Sequence, residues 1–169
     1  AMMALGKWTS GSLSYTDGTL GGIKVDGTSF HHGGHYPGYS VGAFGVLGDY
    51  CWFTKDTDFA IDEPARRVFK HTLMTLLDYC NLRDWGVGVC GRHPFNGAIP
   101  EKDVEAFARL ALLGDLTGSG QSADPEWGGA FLLLAGKDKN LQTAMKQAGI
   151  RPLTPKEGFR VYNYGGFGI

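Results

Sequence analysis

The stretch DEPARRVFKHTLMTLLDYCN, residues 62–81, predicts most clearly what kind of fold this chain adopts. It opens with Asp62-Glu63-Pro64, which combines a helix N-cap, an acidic first turn and a proline that a first turn accepts. Apolar residues then recur at helical spacing and would face one core: Val68, Leu73, Leu76 and Leu77. We therefore expect an amphipathic helix that ends near Asn81.

Steps of three and four residues between apolar positions predict further helices on both sides of that stretch. They cover residues 39–54, start again at residue 100 and at residue 124, and end with residues 141–149, where Gly149 is a typical terminator. Residues 9–38 are expected to be irregular and rich in loops. After Pro152 the pattern of Phe159, Val161 and Tyr164 is typical of a β-strand.

Four or five helices followed by a strand favour a mainly α fold, a helical toroid that runs into a β domain. We place residues 1–155 in the helical part and residues 156–169 in the first strand of the β domain. The chain opens without a complete secretory leader and closes on an unfinished strand pattern, so we expect it to be a segment of a longer protein.

Composition excludes several classes of protein. The 169 residues carry a formal net charge of -1, which argues against the broad basic surface of a non-specific nucleic-acid binder. We find no run of eighteen apolar residues, so a membrane span is not expected. Cys51, Cys80 and Cys90 lack the close spacing of a zinc or redox site and are interpreted as small buried hydrophobic residues.

Histidines and tyrosines cluster in residues 30–39, FHHGGHYPGY. This segment holds three of the five histidines of the chain. Its glycines allow backbone bends that other residues avoid, so imidazole and phenol groups can converge on one point. The candidates for chemistry or ligand contact are His31, His32, His35, Tyr36 and Tyr39.

A second cluster, residues 85–96 or WGVGVCGRHPFN, has the character of a site wall. Trp85, Arg92, His93 and Asn96 are its candidate functional residues. Its glycines also match the GxGxxG pattern of dinucleotide sites. A predicted helix precedes the match and Arg-His-Pro follows it, where that site needs a strand and a helix start, so we reject this interpretation.

An acidic sugar polymer is a ligand on which the two clusters could act together. Removal of the C5 proton of a uronic acid, next to its carboxylate, lets the C4 oxygen leave and cuts the chain by β-elimination. The reaction needs a clamp that neutralises the carboxylate, a base near C5 and an acid for the leaving oxygen. Arg92 would favour the phenolate form of Tyr39, and His32 can take a proton or hold developing charge.

The order of these motifs resembles the catalytic-domain core of chondroitin ABC lyases. The resemblance rests on Gly22-Ile23-Lys24-Val25-Asp26-Gly27-Thr28, then His32, Tyr36-Pro37-Gly38-Tyr39-Ser40, and Gly91-Arg92-His93-Pro94-Phe95-Asn96. It extends from about Gly11 to the end of the chain. It implies the C-terminal part of an incomplete (α/α) toroid, followed by the start of a β-sandwich domain.

By position, the resemblance makes His32, Tyr39 and Arg92 the catalytic residues, with Tyr39 as general acid and base. His31, His35, Tyr36, Trp85, His93 and Asn96 would contact the substrate. The substrate would be chondroitin or dermatan sulfate, with hyaluronan as a further option, and the parent enzyme would be periplasmic or secreted in a bacterium. The family places a catalytic glutamate in the following β domain, outside these residues, so the resemblance implies that this chain alone lacks one catalytic residue.

Rival interpretations stay open. One is a metal site of His31, His32, His35 and His93, although Gly33 and Gly34 interrupt helical ligand spacing. Another is a glycan-binding segment that does not cut. The elimination itself needs no cofactor and no protein-bound metal, while calcium or magnesium stays an option in substrate recognition. His71 is interpreted as a packing or capped residue. Trp52 and Trp127 could each offer a ring to a sugar, but we interpret them as core residues.

Overall fold

The computed structural model describes residues 2–78, 80–84, 98–154, 163–164 and 167–168. This part of the chain is mainly helical, as expected. The helices are α1 (Met2–Ser12), α2 (Pro37–Thr54), α3 (Glu63–Asp78), α4 (Glu101–Ala111), α5 (Pro125–Leu133) and α6 (Lys139–Gln147). Closure of such helices into a toroid, a following β-sandwich and the boundary at residue 155 stay predictions.

The helices form where the caps and the apolar spacing predict them. Helix α3 begins after Asp62, whose carboxylate accepts the N–H of Ala65 at 2.9 Å, and it ends slightly earlier than expected. Helix α2 starts two residues before the predicted position, with Pro37 in its first turn. Helix α6 is capped by Asp138 and followed by Gly149 at φ +70°, which confirms the predicted terminator.

The expectation of irregular structure for residues 9–38 is wrong in part. Helix α1 reaches Ser12, and three short strands follow: β1 (Gly22–Ile23), β2 (Ser29–His31) and β3 (Gly34–His35). They pair antiparallel in the order β1-β2-β3. Helix α1 has no acidic residue in its first turn, and large apolar side chains on it are exposed. The sequence therefore shows neither a helix start signal nor an apolar face for this helix.

The C-terminal residues that the structure describes form a second small sheet. Strands β4 (Asn163–Tyr164) and β5 (Phe167–Gly168) pair antiparallel. The predicted strand positions Phe159 and Val161 lie outside the described residues. A strand at Tyr164 is confirmed, as the first arm of this pair.

One core lies among α2, α3, α4 and α5. Helix α4 packs against α2 on one side and against α5 and α6 on the other. Trp127 is 0% exposed and lies edge-on to Phe69, so it can only be a core residue and offers no ring to a sugar. Cys51 is buried, as interpreted, and burial raises the pKa of its thiol to about 12. Cys90 lies outside the described residues.

The structure does not place Trp52 in the core. It is half-buried and is not among the residues that pack in the core, and the Lys55 ammonium lies 3.9 Å from its ring centroid. His71 is half-buried as well, and its Nδ1 lies 2.8 Å from the hydroxyl of Tyr15. Among the described residues, no helix combines the length and the apolar character that crossing a membrane requires.

Asp124 joins three helices and a loop. Its backbone N–H donates to the carbonyl of Ala111 at the end of α4, and its Oδ1 accepts two N–H groups of the first turn of α5 at 3.1 Å each. Its Oδ2 accepts the N–H of Leu116 at 3.0 Å and the ammonium of Lys70 in α3 at 2.6 Å. Asp124 is fully buried, so these donors replace the water that its charge has lost.

Asp103 is a buried carboxylate at the contact between α4 and α2. It is 3% exposed, and neither of its oxygens has a hydrogen-bond partner among the described residues. A Cβ on Gly45 of α2 would overlap Oδ1, so any larger residue there would require the Asp103 side chain to move. Burial raises the pKa of Asp103 to about 6; Asp49 adds to the rise and Lys102 opposes it.

We expect Asp124→Ala to lower the free energy of unfolding by about 2–4 kcal/mol, because it removes the cap of α5 and one of the two carboxylates that pair with the Lys70 ammonium, the other being Glu126 at 2.7 Å. Urea unfolding followed by circular dichroism measures this. The matched control is Glu63→Ala, which breaks the exposed pair with Arg67 and should cost under about 1 kcal/mol. Equal losses in the two variants would contradict the central role of Asp124.

Asp103 should make the fold less stable as the pH rises. The folded-state pKa of about 6 lies above the unfolded value of 3.8, so the protonated form favours folding and this contribution is lost between about pH 4 and pH 6. Asp103→Asn removes the titration. We expect it to raise the stability at pH 7 to 8 by up to about 3 kcal/mol and to change little at pH 4.

Thermal melts across that pH range test this expectation. Asp56→Asn, at an exposed aspartate, is the matched control and should leave the pH dependence as it is. A gain from Asp103→Asn that is as large at pH 4 as at pH 7 would rule out titration of Asp103 as its cause.

Candidate active site

His32 stands at the tip of a two-residue hairpin. Strands β2 and β3 pair His31 with Gly34, which leaves His32 and Gly33 as the loop, and both have positive φ, 53° and 77°. This is the mark of a type I′ turn, whose twist matches that of the flanking strands. Histidine enters the left-handed region more readily than most residues, but at some cost. The turn thus holds the His32 imidazole out on an exposed tip.

Tyr36 and Tyr39 flank the start of α2. Tyr36 is the N-cap residue, and Pro37 fixes the first turn with a φ that suits a helix. Tyr39 stands one turn after Tyr36, so the two rings lie on one side of the helix and stack with centroids 4.6 Å apart. Tyr39 is 36% exposed.

The hairpin and the helix bring four rings together. The His31 ring lies edge-on to His32 at 4.2 Å and to Tyr39 at 4.9 Å between centroids. The His32 ring lies 5.9 Å from both Tyr36 and Tyr39. Edge-on and stacked contacts of this kind add to packing, and they leave a water-facing cluster with two imidazoles and two phenols. The sequence predicted this convergence, and the structure has it.

His35 lies behind the cluster. It belongs to β3, is half-buried, and burial lowers its pKa to about 4, while the negative charge of Asp26 works in the opposite direction. His35 is therefore neutral near pH 7. A contact between His35 and an acidic ligand would be a neutral hydrogen bond and not an ion pair.

The predicted site wall lies outside the described residues. Trp85, Arg92, His93 and Asn96 all fall in residues 85–97, so their place relative to the four rings stays a prediction. In the described part of the chain, no three side chains of the metal-binding types His, Cys, Asp and Glu are grouped closely enough to hold an ion.

Sequence reasoning missed the contact between Ser29 and Ser40, whose hydroxyl oxygens lie 2.5 Å apart beneath the rings. Nothing local in the sequence announces it, because eleven residues separate the two serines. The turn at the hairpin tip could have been predicted from the sequence. His32-Gly33 between two short β-like runs is a variant of the polar-Gly pair that favours a type I′ turn.

Comparison with known proteins adds an independent finding. The family model described as "Lyase, catalytic" matches residues 1–141. The chain is 30% identical to a chondroitin sulfate ABC endolyase of Proteus vulgaris over 148 residues, 88% of this chain and 14% of that protein.

Two chondroitin sulfate ABC exolyases are similar as well. The one from Bacteroides thetaiotaomicron is 29% identical over 141 residues, and the one from Proteus vulgaris is 30% identical over 137 residues. These matches cover 82% and 81% of this chain, and 13% and 14% of the two enzymes. The chain thus spans about one seventh of the length of the curated relatives that it matches.

Two glycine-to-alanine changes test the hairpin tip. A Cβ on Gly33 or on Gly42 meets nothing within 4 Å, so the positive φ of Gly33 is what separates them. We expect Gly33→Ala to destabilise the protein by about 1–2 kcal/mol, because alanine strains the left-handed turn. Gly42→Ala, within α2, should stabilise it by about 0.5–1 kcal/mol.

Chemical denaturation of both variants gives the comparison. The Gly33→Ala variant should also shift the NMR signals of the His32 ring, while Gly42→Ala leaves them in place. Equal stabilisation by both substitutions would mean that Gly33 does not require its positive φ.

Proposed function

The chain belongs to the family of lyase catalytic domains, and we propose that it supplies the proton-transfer residues of a lyase that cuts chondroitin-type glycosaminoglycans by β-elimination. The observation that carries this proposal is the exposed cluster of His31, His32, Tyr36 and Tyr39 on a rigid turn and a helix start. All three similar enzymes are chondroitin sulfate ABC lyases, which supports chondroitin sulfate as the substrate class.

Tyr39 is proposed to carry the proton. It would take the C5 proton of the uronic acid, and the electron pair of the C5–H bond would form the C4–C5 double bond as the C4–O bond breaks. The same phenol would then return a proton to the leaving glycosidic oxygen. Tyr39 suits both steps because its ring is 36% exposed and lies beside the His32 ring, where a substrate can reach its hydroxyl.

His32 is proposed as the second base or as the group that stabilises the charge on the substrate. Its ring is in contact with that of Tyr39, with the centroids 5.9 Å apart, so one sugar residue at the edge of this ring pair could contact both side chains. His31, Tyr36 and His35 would contact the substrate around it. Arg92 would neutralise the uronate carboxylate, with Trp85, His93 and Asn96 beside it; their sequence positions and the family resemblance support these roles.

The proposed chemistry uses side chains alone, without a cofactor. Loss of activity on addition of EDTA, with recovery in calcium or magnesium, would instead bring a cation into substrate recognition. An acidic polysaccharide outside the cell is the proposed partner, and a periplasmic or secreted bacterial protein is the corresponding proposal for location. Both rest on the family resemblance.

The test is the ultraviolet absorbance of the C4–C5 double bond when the protein is incubated with chondroitin sulfate. We run the 169-residue chain alone and joined to the β domain that the resemblance predicts after it. Signal from either supports elimination, since hydrolysis and binding create no such double bond. Signal only from the longer chain would mean that the predicted glutamate is needed, and silence from both would refute the lyase proposal.

Two substitutions assign the chemistry to residues. Tyr39→Phe keeps the stacked ring and removes the phenol, and we expect a loss of about 10²–10⁴-fold in kcat with binding retained. Tyr15→Phe is the matched control, since it removes a phenol that is bonded to His71, away from the cluster, and should leave kcat within about twofold. Full activity of Tyr39→Phe would assign the proton to another group.

His32→Asn separates chemistry from turn geometry. Asparagine accepts the left-handed conformation of a type I′ turn, so the hairpin should keep its shape while the imidazole is lost. We expect kcat to fall by about 10²-fold or more at an unchanged melting temperature. A fall in the melting temperature that accounts for the lost activity would leave His32 with a structural role only.

A further inference from the structure

We propose that Ser29 and Ser40 are positioning residues for the elimination: their partly buried hydroxyl pair holds the histidine hairpin against the first turn of α2 and so sets the separation between His32 and Tyr39. This inference rests on the proposed function. It concerns how that site is assembled, and neither serine is assigned contact with the substrate.

The ring cluster needs such a device because its members come from two different elements. His31 and His32 belong to the hairpin, whereas Tyr36 and Tyr39 belong to the start of α2. The rings face water, and contacts between aromatic rings contribute only about 0.5–1.5 kcal/mol each. Proton transfer tolerates little error in the separation of base and acid, since a displacement of about 1 Å can cost 10²-fold in rate.

The serine pair sits at the junction of those two elements. Ser29 is the first residue of β2 and Ser40 directly follows Tyr39 in α2. Their hydroxyl oxygens lie 2.5 Å apart, and Ser29 is 8% exposed. A hydrogen bond that is shielded from water is stronger than one on the surface, and breaking it leaves a buried polar group without a partner.

Ser40 also contacts the backbone of its own helix. Its Oγ lies 3.3 Å from the carbonyl oxygens of Tyr36 and Pro37, the usual acceptors for a serine hydroxyl one turn further along a helix. Either hydroxyl can donate in the pair of Ser29 and Ser40. In both cases the contacts join the hairpin, through Ser40, to the backbone that carries Tyr36.

A backbone hydrogen bond also joins the hairpin to the start of α2. The N–H of Tyr36 donates to the carbonyl of Ser29 at 2.9 Å. Ser29 therefore contacts the start of α2 at two points, once through its backbone carbonyl and once through its side-chain hydroxyl. The backbone bond alone fixes the distance between β2 and Tyr36, and the hydroxyl pair adds a second point that fixes the rotation of the helix start, on which the direction of the Tyr39 ring depends.

The experiment compares Ser29→Ala, Ser40→Ala, the double variant and the conservative Ser40→Thr. The matched control is Ser12→Ala, since Ser12 makes a local hydroxyl bond to the carbonyl of Thr9 on exposed α1. Two readouts are taken: nuclear Overhauser contacts between the His31, His32 and Tyr39 rings in the 169-residue chain, and kcat and KM in whichever chain gives product with chondroitin sulfate.

We expect each alanine variant to weaken the ring contacts and to lower kcat by about tenfold, with KM within about twofold of the wild-type value. The double variant should lose no more than a single one, because the two hydroxyls act as one pair. Ser40→Thr keeps a hydroxyl at the same place and should recover kcat to within about threefold, and Ser12→Ala should match the wild type.

Three outcomes would overturn the proposal. They are unchanged ring contacts and kcat in both alanine variants, additive losses in the double variant, and a Ser40→Thr variant no better than Ser40→Ala. If an alanine variant no longer unfolds cooperatively, Ser40→Thr is compared with the wild type in its place, and the same criteria for ring contacts and kcat apply. If the wild type makes no elimination product, the proposed function fails, while the ring contacts still decide whether the serine pair positions the cluster.

Discussion

The buried carboxylate of Asp124 is the constraint on which the rest of the structure depends. It caps α5, accepts the Lys70 ammonium from α3 and, through its backbone, joins the end of α4. Helix α4 in turn supports α2, and α2 carries Tyr39. The position of the exposed Tyr39 phenol therefore depends on the buried charge of Asp124. The link runs through the packing of α4 against α5 and against α2, which lies in the core.

The candidate site has a different physical character from the core beneath it. The core is held by burial and by one satisfied charge, whereas the site is held by backbone geometry: a left-handed pair at the hairpin tip and a proline in the first turn of α2. Such geometry carries strain, and the sites that carry it in proteins are commonly functional. The side chains that it presents can stay exposed, which a hydrophobic contact would not allow.

Much of this arrangement could be predicted from the sequence, because its causes are local. The caps at Asp62 and Asp124 and the apolar spacing predicted α3 and α5, and the glycines among the histidines predicted a convergent cluster. Contacts between distant residues could not be predicted. The pairing of Ser29 with Ser40 and the burial of Asp103 against Gly45 depend on how elements pack, and two serines or one aspartate in a sequence are usually exposed.

The two-residue turn at the hairpin tip also limits how the chain can change its length. Side chains alternate between the faces of a strand, so one residue inserted within β2 or β3 would exchange the inward and outward positions of the strand residues beyond it. The serine would leave its partner and the histidines would turn away from the tyrosines together. Insertions and deletions in this short segment are therefore expected to disrupt the site even where single substitutions are tolerated. The number of residues from His32 to Tyr39 sets the relative position of the two side chains.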